Sequence, residues 1–562
     1  MFLPTTKEEM KKLHWVNLDI ILVTGDTYID SPFIGVSVIG KLLLKASYKV
    51  GIIAQPDINS PDDIGRLGEP QLFWGVTAGS LDSMIANYTA TGKKRKKDDL
   101  TPGGINNRRP DRATIVYTNL IKRYFKNSKP IVLGGIEASL RRVAHYDLWD
   151  NQIRRSILLD SKADFLVYGM AEKSIVQLAE RLSHQDQESV AGLRGICYIS
   201  RLPAENSIIL PSFAEVKRDC KKFTEMFNLF YEHQNSFSGK TLSQKYENRY
   251  LIHNPPAYPL TEKELDAIYE LDYEREVHPF YQKWGVVRAQ DTIKFSVTSH
   301  RGCFAECNFC AITAHQGRYL QSRSQDSIIR EIEKLSQRKD FKGYILDVGG
   351  PTANMYKMGC SKKNSGDYCR GKRCLFPSFC NHLAIDHGPQ IRLLRAIRKI
   401  KGIKKVFVAS GVRYDLVLAD RKNGENYLKE LINHHLSGQL KIAPEHIEPT
   451  ILHLMGKGNH HLLSNFKKLF DRINQKAKEK QYLTYYFMAA HPGCREKDML
   501  QLKQYIKQEL QIKPEQVQIF IPAPATYSAV MYHTGSDPFT GKKIFVEKAV
   551  KKKDKQKRII TE

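Results

Sequence analysis

The chain predicts an α/β protein in two parts, an amino-terminal doubly wound sheet followed by an incomplete β/α barrel of six repeats. Three observations carry this. Apolar segments of strand length alternate with amphipathic helical segments from Leu18 to Leu182, and the alternation resumes at Thr292; strands separated by helices imply parallel sheets. The length of 562 residues exceeds one ordinary core and suggests about three or four units. Three cysteines, Cys303, Cys307 and Cys310, stand just after the first strand of the second series, at the end where β/α barrels carry their chemistry.

Residues 1–200 form the first unit. Its strands are LDIILV, KVGIIAQ, LFWGVTAG, PIVLGG and DFLVYG, separated by helical stretches such as GVSVIGKLLLKASY, TIVYTNLIKRYF and AEKSIVQLAERL. Ligands of such sheets sit beyond the carboxyl ends of the strands. The turns there are Thr24-Gly25-Asp26, Gln55-Pro56-Asp57, Gly134-Gly135-Ile136-Glu137 and Gly169-Met170-Ala171-Glu172. None forms a G-x-G-x-x-G or P-loop pattern, so no nucleotide is indicated, and the glycines also read as plain tight turns. The unit is similar to the flavodoxin-like cobalamin-binding domains that precede some radical enzymes. It lacks their Asp-x-His-x-x-Gly signature, so cobalamin is not expected. Residues 90–112 read as a long charged surface loop. The mixed segment 141–150 reads either as interface packing or as a substrate-facing surface, and 201–290 as a helical linker with helices near 213–232 and 261–271.

The barrel occupies residues 291–530, with strands IKFSVTS, GYILDVGG, KKVFVAS, QLKIAP, YLTYYFMAA and VQIFIPAP. Helices fall between them near 326–338, 390–400, 426–434, 464–478 and 496–510. A cysteine-rich insertion, 351–389, interrupts the second repeat. Residues 531–562 read as a basic, solvated tail, because their apolar residues are too sparse to bury.

Cys303, Cys307 and Cys310 are spaced x3 then x2. Thiolates are the natural ligands of iron–sulfur clusters. Three of them on one short loop hold three corners of a cubane cluster and leave the fourth iron open, as a catalytic metal needs. A barrel that begins with this loop, with Phe309 before its last cysteine, resembles the radical S-adenosylmethionine (SAM) superfamily. Longer phrases, among them TGDTYIDSPFIG, TPGGINNRRPDRATIVY, LGGIEASLRRVAHYD, TSHRGCFAECNFCAI, QGRYLQSRS and EQVQIFIPAPATYSAVMYHTG, resemble the YgiQ branch of it, over about residues 18–545.

That resemblance implies a 4Fe–4S cluster on Cys303, Cys307 and Cys310, SAM on its open iron, and reductive cleavage to a 5′-deoxyadenosyl radical, with Phe309 near the adenine. The superfamily usually has Gly-Gly-Glu after the second strand, where this chain has Gly349-Gly350-Pro351-Thr352. The two glycines still allow close backbone approach. Ser410 and Arg413 after the third strand suit the ribose and carboxylate of SAM. Glu445 and His446 after the fourth are further candidates, and Cys494 after the fifth reads as a small buried residue or a hydrogen-atom donor.

Cys360, Cys369, Cys374 and Cys380 in the insertion, with His382 and His387 nearby, suggest a second metal, either zinc or an auxiliary iron–sulfur cluster. Their spacing fits no common pattern, and a plain loop of reduced thiols is the alternative. The insertion's Lys357, Lys362, Lys363, Arg370, Lys372 and Arg373 suit a substrate-reading lid. Seven of ten cysteines within 78 residues favour metal over disulfides in a chain of this size. No apolar run approaches about 18 residues, and the opening MFLPTTKEEMKKLHW lacks the core of a secretory signal. No membrane and a cytoplasmic location are therefore expected. A formal charge of +27 suits a polyanion such as RNA, although runs such as 93–97 and 551–558 also read as solvated faces. The reading is a radical SAM enzyme of unknown catalytic residues and substrate, served by a low-potential electron donor. The alternative is a metal-stabilised RNA-binding protein without turnover.

Overall fold

The computed structural model describes residues 1–562 apart from 185–187, 363–368, 370–372 and 459–460. The chain divides into two compact units, Met1–Tyr258 with Glu270–Lys294, and Pro259–Tyr269 with Phe295–Glu562.

In the first unit β1 (Ile20–Thr24), β2 (Val50–Ala54), β3 (Phe73–Thr77), β4 (Ile131–Leu133) and β5 (Phe165–Val167) run parallel in the order 2-1-3-4-5. This is the flavodoxin-like order, with its switch point between β1 and β3. Every residue of β1 and β2 is buried, as strands covered on both faces require. Helices Gly35–Lys45, Ala113–Tyr124 and Glu172–Ser183 supply crossovers.

The chain fills its own crevice at the switch point. Asp26, just after β1, accepts from Arg109 Nη2 at 2.7 Å and from the Ser80 amide at 2.6 Å. The same guanidinium lies 3.2 Å from Asp98. A Cβ on Gly79 would collide with the Asp26 carboxylate. Arg109 belongs to the segment expected to be a surface loop, yet its side chain is fully buried, whereas Lys93 through Lys97 are exposed. The segment 141–150 is packing: Arg142 is buried between the rings of Tyr168 and Phe230, and Arg112 pairs with Asp147 at 2.7 Å.

Residues 201–258 are not the expected helical linker. The helices Phe213–Arg218 and Cys220–Glu232 are present, but β6 (Ile196–Ser200), β7 (Ile208–Leu210), β8 (Leu242–Tyr246) and β9 (Arg249–His253) extend the sheet to nine strands in the order β5-β6-β9-β8-β7. The pairing turns antiparallel at β5–β6. Buried polar side chains hid these strands. Gln244 on β8 accepts from the Ala144 amide and the Tyr246 hydroxyl and donates to the Pro211 carbonyl, and Ser243 and His253 are also buried. With such partners a polar residue occupies a core position without penalty, and the apolar alternation disappears.

In the second unit β10 (Ser296–Thr298), β11 (Tyr344–Ile345 and Asp347–Gly349), β12 (Lys405–Val406), β13 (Gln439–Glu445), β14 (Tyr482–Ala489) and β15 (Gln516–Ile519) form the six-strand parallel series of a partial barrel. A parallel bridge between Val412 and Ile442 joins the third and fourth repeats. Helices Gln325–Ser336, Gly388–Arg398, Gly424–Glu430, His461–Asn474 and Glu496–Tyr505 intervene. Their apolar faces pack on the strands in one core that includes Ile332, Leu394, Leu428, Phe466 and Leu502.

The expected solvated tail ends in a helix, Val550–Thr561. Its inward face is Lys553, Gln556 and Ile560, two of them polar, so no apolar stripe announced it. Gln556 accepts from the Ala490 amide at 2.9 Å and donates to the Cys494 carbonyl at 3.2 Å; Lys553 donates to the Tyr532 hydroxyl at 2.6 Å. Among the described residues no helix is long and apolar enough to cross a membrane.

Candidate active site

The cysteine loop leaves β10 and is pinned along its length. Gly302 has φ +83°, and a Cβ there would fall 2.2 Å from the Tyr319 carbonyl oxygen, so this turn accepts only glycine. The Cys303 amide donates to Gly317 O at 3.2 Å and Cys303 Sγ lies 3.5 Å from Thr352 Oγ1. Asn308 donates from its amide to Met455 O and from Nδ2 to Leu454 O, while its carbonyl accepts from the Ser528 amide. Asn308 thereby fastens the loop to the elements that follow β13 and β15, with its buried Oδ1 left over.

Burial pushes the Cys303 thiol up and the Cys310 thiol up to about 12, with the neighbouring thiols acting in the same direction. Cys303 is buried and Cys307 and Cys310 are half-buried, and the three are near enough for their charges to act on one another. Among the described residues no three His, Cys, Asp or Glu side chains converge as ligands of a single ion would. A cluster's corners lie farther apart than the ligands of a single ion, so a cluster does not require that convergence.

Arg413 stands beside them, its Nη1 3.7 Å from Cys307 Sγ and its Nε 3.0 Å from Asp415 Oδ1. Burial pushes the Asp415 carboxyl up, but the Arg413 charge outweighs it and holds the acid below its usual range. Phe309 meets the edge of His491 at 6.3 Å. His491 accepts from Ser528 Oγ at 2.7 Å, and burial holds it neutral with a pKa of about 3. His446 is likewise held at about 3 by burial, and His300, which donates to Thr352 O at 3.0 Å, at about 4.

The remaining predicted residues are placed less simply. Gly349 and Gly350 lie against protein: a Cβ on Gly350 would fall 2.6 Å from both His300 O and Nε2, and one on Gly349 3.3 Å from Ser410 Oγ. Their small size serves the packing of His300 and Ser410. The Ser410 hydroxyl donates to Asp347, a carboxylate on β11 that the sequence reading passed over. Its mark in the sequence is a charge inside the apolar strand ILDVGG. Glu445 ends β13 at φ +66° and lies 3.4 Å from Lys457 Nζ. Glu306 in the cysteine loop, Ala490 after β14 and Ala525 after β15 also have φ between +49° and +59°.

The insertion packs on the loop. Met355, Met358 and Leu375 form a small core with Cys303, Phe304 and Ala305. Arg318 lies 3.0 Å from Glu306 and also bonds the Cys374 thiol, which burial pushes up to about 11. The Cys380 amide donates to Cys374 O at 2.8 Å. Cys360 sits on a two-residue strand paired with Leu383–Ala384, and no convergence of all four thiols occurs among the described residues. His387 is taken by Asp420 at 2.8 Å and stacked on Tyr427. Lys357 pairs with Glu262; Lys363, Arg370 and Lys372 lie outside the described residues.

Two family models match the chain, "Radical SAM N-terminal" over residues 2–296 and "Radical SAM superfamily" over 297–506. The UPF0313 protein FN0734 of Fusobacterium nucleatum is 54% identical over 562 residues, spanning 100% of this chain and 99% of its own. The chain belongs to the UPF0313 (YgiQ) family of radical SAM proteins. A UPF0313 protein of Thermotoga maritima is 50% identical over 558 residues (99% and 98% of the two chains), and CLJ_B0249 of Clostridium botulinum 48% over 562 (100% and 87%). As a member, this UPF0313 chain is a radical SAM enzyme that employs a 4Fe–4S cluster and SAM, and the reading of an RNA-binding module without turnover is set aside.

Among solved structures, the radical SAM methyltransferase TsrM from Kitasatospora setae aligns with a TM-score of 0.51 at 13% identity, covering 92% of this chain and 78% of TsrM. The radical SAM enzyme OxsB aligns at 0.50 and 12%, covering 93% and 56%. At such identity the likeness is one of fold. Both are described with cobalamin bound, so the missing Asp-x-His-x-x-Gly signature does not exclude that cofactor here, and the expectation against it is not borne out.

Proposed function

We propose that Cys303, Cys307 and Cys310 hold the 4Fe–4S cluster of this enzyme, and that its substrate is RNA. The observation that carries the first part is the pinned loop at the carboxyl ends of the barrel strands, held by Gly302 and Asn308, with the Arg413 cation 3.7 Å from the Cys307 sulfur. The charge of +27 supports the second. When bound, the cluster supplies the electron that splits SAM into methionine and a 5′-deoxyadenosyl radical.

The chain's own residues do the rest. Arg413 balances thiolate charge while Asp415 fixes its plane. Phe309 and the neutral His491 present an apolar wall for the adenine. Met355, Met358 and Leu375 keep water from the loop. Glu445, steadied by Lys457, accepts from the amino group of SAM in this reading. Ser410 acts through Asp347, tying the third strand end to the second. A low-potential electron donor completes the system.

Anaerobically reconstituted protein with SAM and a reductant should release 5′-deoxyadenosine. Replacing all three cysteines by Ala should abolish this and remove four irons per chain. Release that survives in the triple variant would place the cluster elsewhere.

A further inference from the structure

We infer that the first unit carries a docking surface for single-stranded RNA, formed by the basic arm 93–97 and the exposed turn around Trp284. The inference rests on RNA as the substrate class and locates where it is held.

The arm is built, not loose. Bridges pair Tyr88 with Lys94 and Lys97 with Ile105, the Asn106 amide donates to Lys96 O at 3.0 Å, and Arg95 Nε donates to Tyr88 O at 3.1 Å. Its root is the buried Arg109–Asp26–Asp98 network. Five consecutive cations, Lys93 through Lys97, are therefore displayed on a fixed backbone with every side chain exposed. A solvated charge run needs no such anchoring.

A second element adjoins the arm. The Gly103 amide donates to Val286 O at 3.0 Å, which seats the turn 282–288 beside the segment that bridges Ile105 to Lys97. Every residue from Gln282 to Val286 is exposed, and Val286 and Ile105 are 72% and 58% accessible, so apolar surface lies next to the cations. Trp284 is flanked by Arg108 at 4.6 Å and Lys283 at 4.3 Å from its ring. Cations that follow a backbone beside an aromatic and guanidinium platform are the two features with which proteins hold unpaired nucleotides. An acidic protein would use the charge but has no need of the platform.

The test uses the full-length, cluster-reconstituted protein and a fluorescein-labelled 15-nucleotide single-stranded RNA, read by anisotropy from 50 to 200 mM salt. Each phosphate neutralised on a single strand contributes about −0.7 to the slope of log affinity against log salt. Changing Lys93, Lys94, Lys96 and Lys97 to Ser, with Arg95 kept for its backbone contact, should reduce the slope by about 3. Trp284→Ala should weaken binding about tenfold with the slope unchanged. RNA carrying 4-thiouridine should crosslink to peptides within 93–108 and 280–288 of the unmodified protein, a readout that needs no variant. Crosslinks elsewhere, with binding unchanged in the lysine variant, would overturn the surface but leave RNA as the substrate. Absence of binding at 50 mM salt would overturn both. Equal competition by polyglutamate would mean that the surface takes acidic proteins instead. None of these readouts depends on SAM cleavage, so failure of the cluster assignment is seen separately.

Discussion

Removing Arg413 tests the site at the point where stability and cofactor chemistry meet. Its guanidinium is 14% exposed and grips Asp415, which is 8% exposed, and Nη1 reaches towards Cys307. In Arg413→Ala the Asp415 carboxylate loses its partner and keeps only the Leu416 amide at 2.9 Å. Stranding a buried charge costs about 3–5 kcal/mol; partial exposure places the expected loss near 3 kcal/mol. Replacing both partners, as Arg413→Met with Asp415→Asn, removes the stranded charge and should recover about 2 kcal/mol of that. Cluster loading should behave differently, because neither variant restores a cation beside Cys307. Urea unfolding at constant m reads the first effect, and iron and sulfide per chain after reconstitution read the second. A single variant costing less than about 1 kcal/mol, or a double variant that regains full iron content, would refute the reasoning.

Three further outcomes are expected. Gly350→Ala places a methyl 2.6 Å from the His300 carbonyl and ring and should cost about 1–3 kcal/mol, whereas Gly349→Ala, with 3.3 Å to Ser410 Oγ, should cost less; chemical unfolding of the two variants decides. His300, His446 and His491 are held neutral with pKa values of about 4, 3 and 3. The unfolded chain therefore binds more protons below about pH 6.5, and stability falls as pH drops from there, by about 2 kcal/mol per histidine at pH 5. A stability curve flat between pH 7 and 5 would contradict this. Gln556→Ala leaves the Ala490 amide without its partner and should cost about 1–3 kcal/mol, with amide exchange accelerated in 490–494 and unchanged in β1.

Local pattern made much of the molecule legible. The parallel strands β1 to β5 announce themselves because both faces are covered and nearly every residue is apolar, as in Ile20–Thr24. The cysteine loop is equally plain, since its three thiols fall within eight residues of one another. Arg413 was named because strand ends are countable, and Phe309 because of the family resemblance. The strands and helix that went unseen did so for one reason: the inward positions of β8, β9 and the last helix are Ser243, Gln244, His253, Lys553 and Gln556, whose hydrogen bonds make burial tolerable. Those partners, such as Pro211 and Ala490, lie tens of residues away, where periodicity carries no information about them.

The sequence by itself determined the fold class, the family and the three thiols, because each is written in short-range spacing and composition. Only the tertiary structure decided that Gly350 makes room for His300, that Ser410 is held by Asp347, that the insertion shelters the loop and that Arg109 anchors the basic arm. Each of these is a contact between segments distant in the chain, decided by which polar groups find partners once the apolar surfaces have closed.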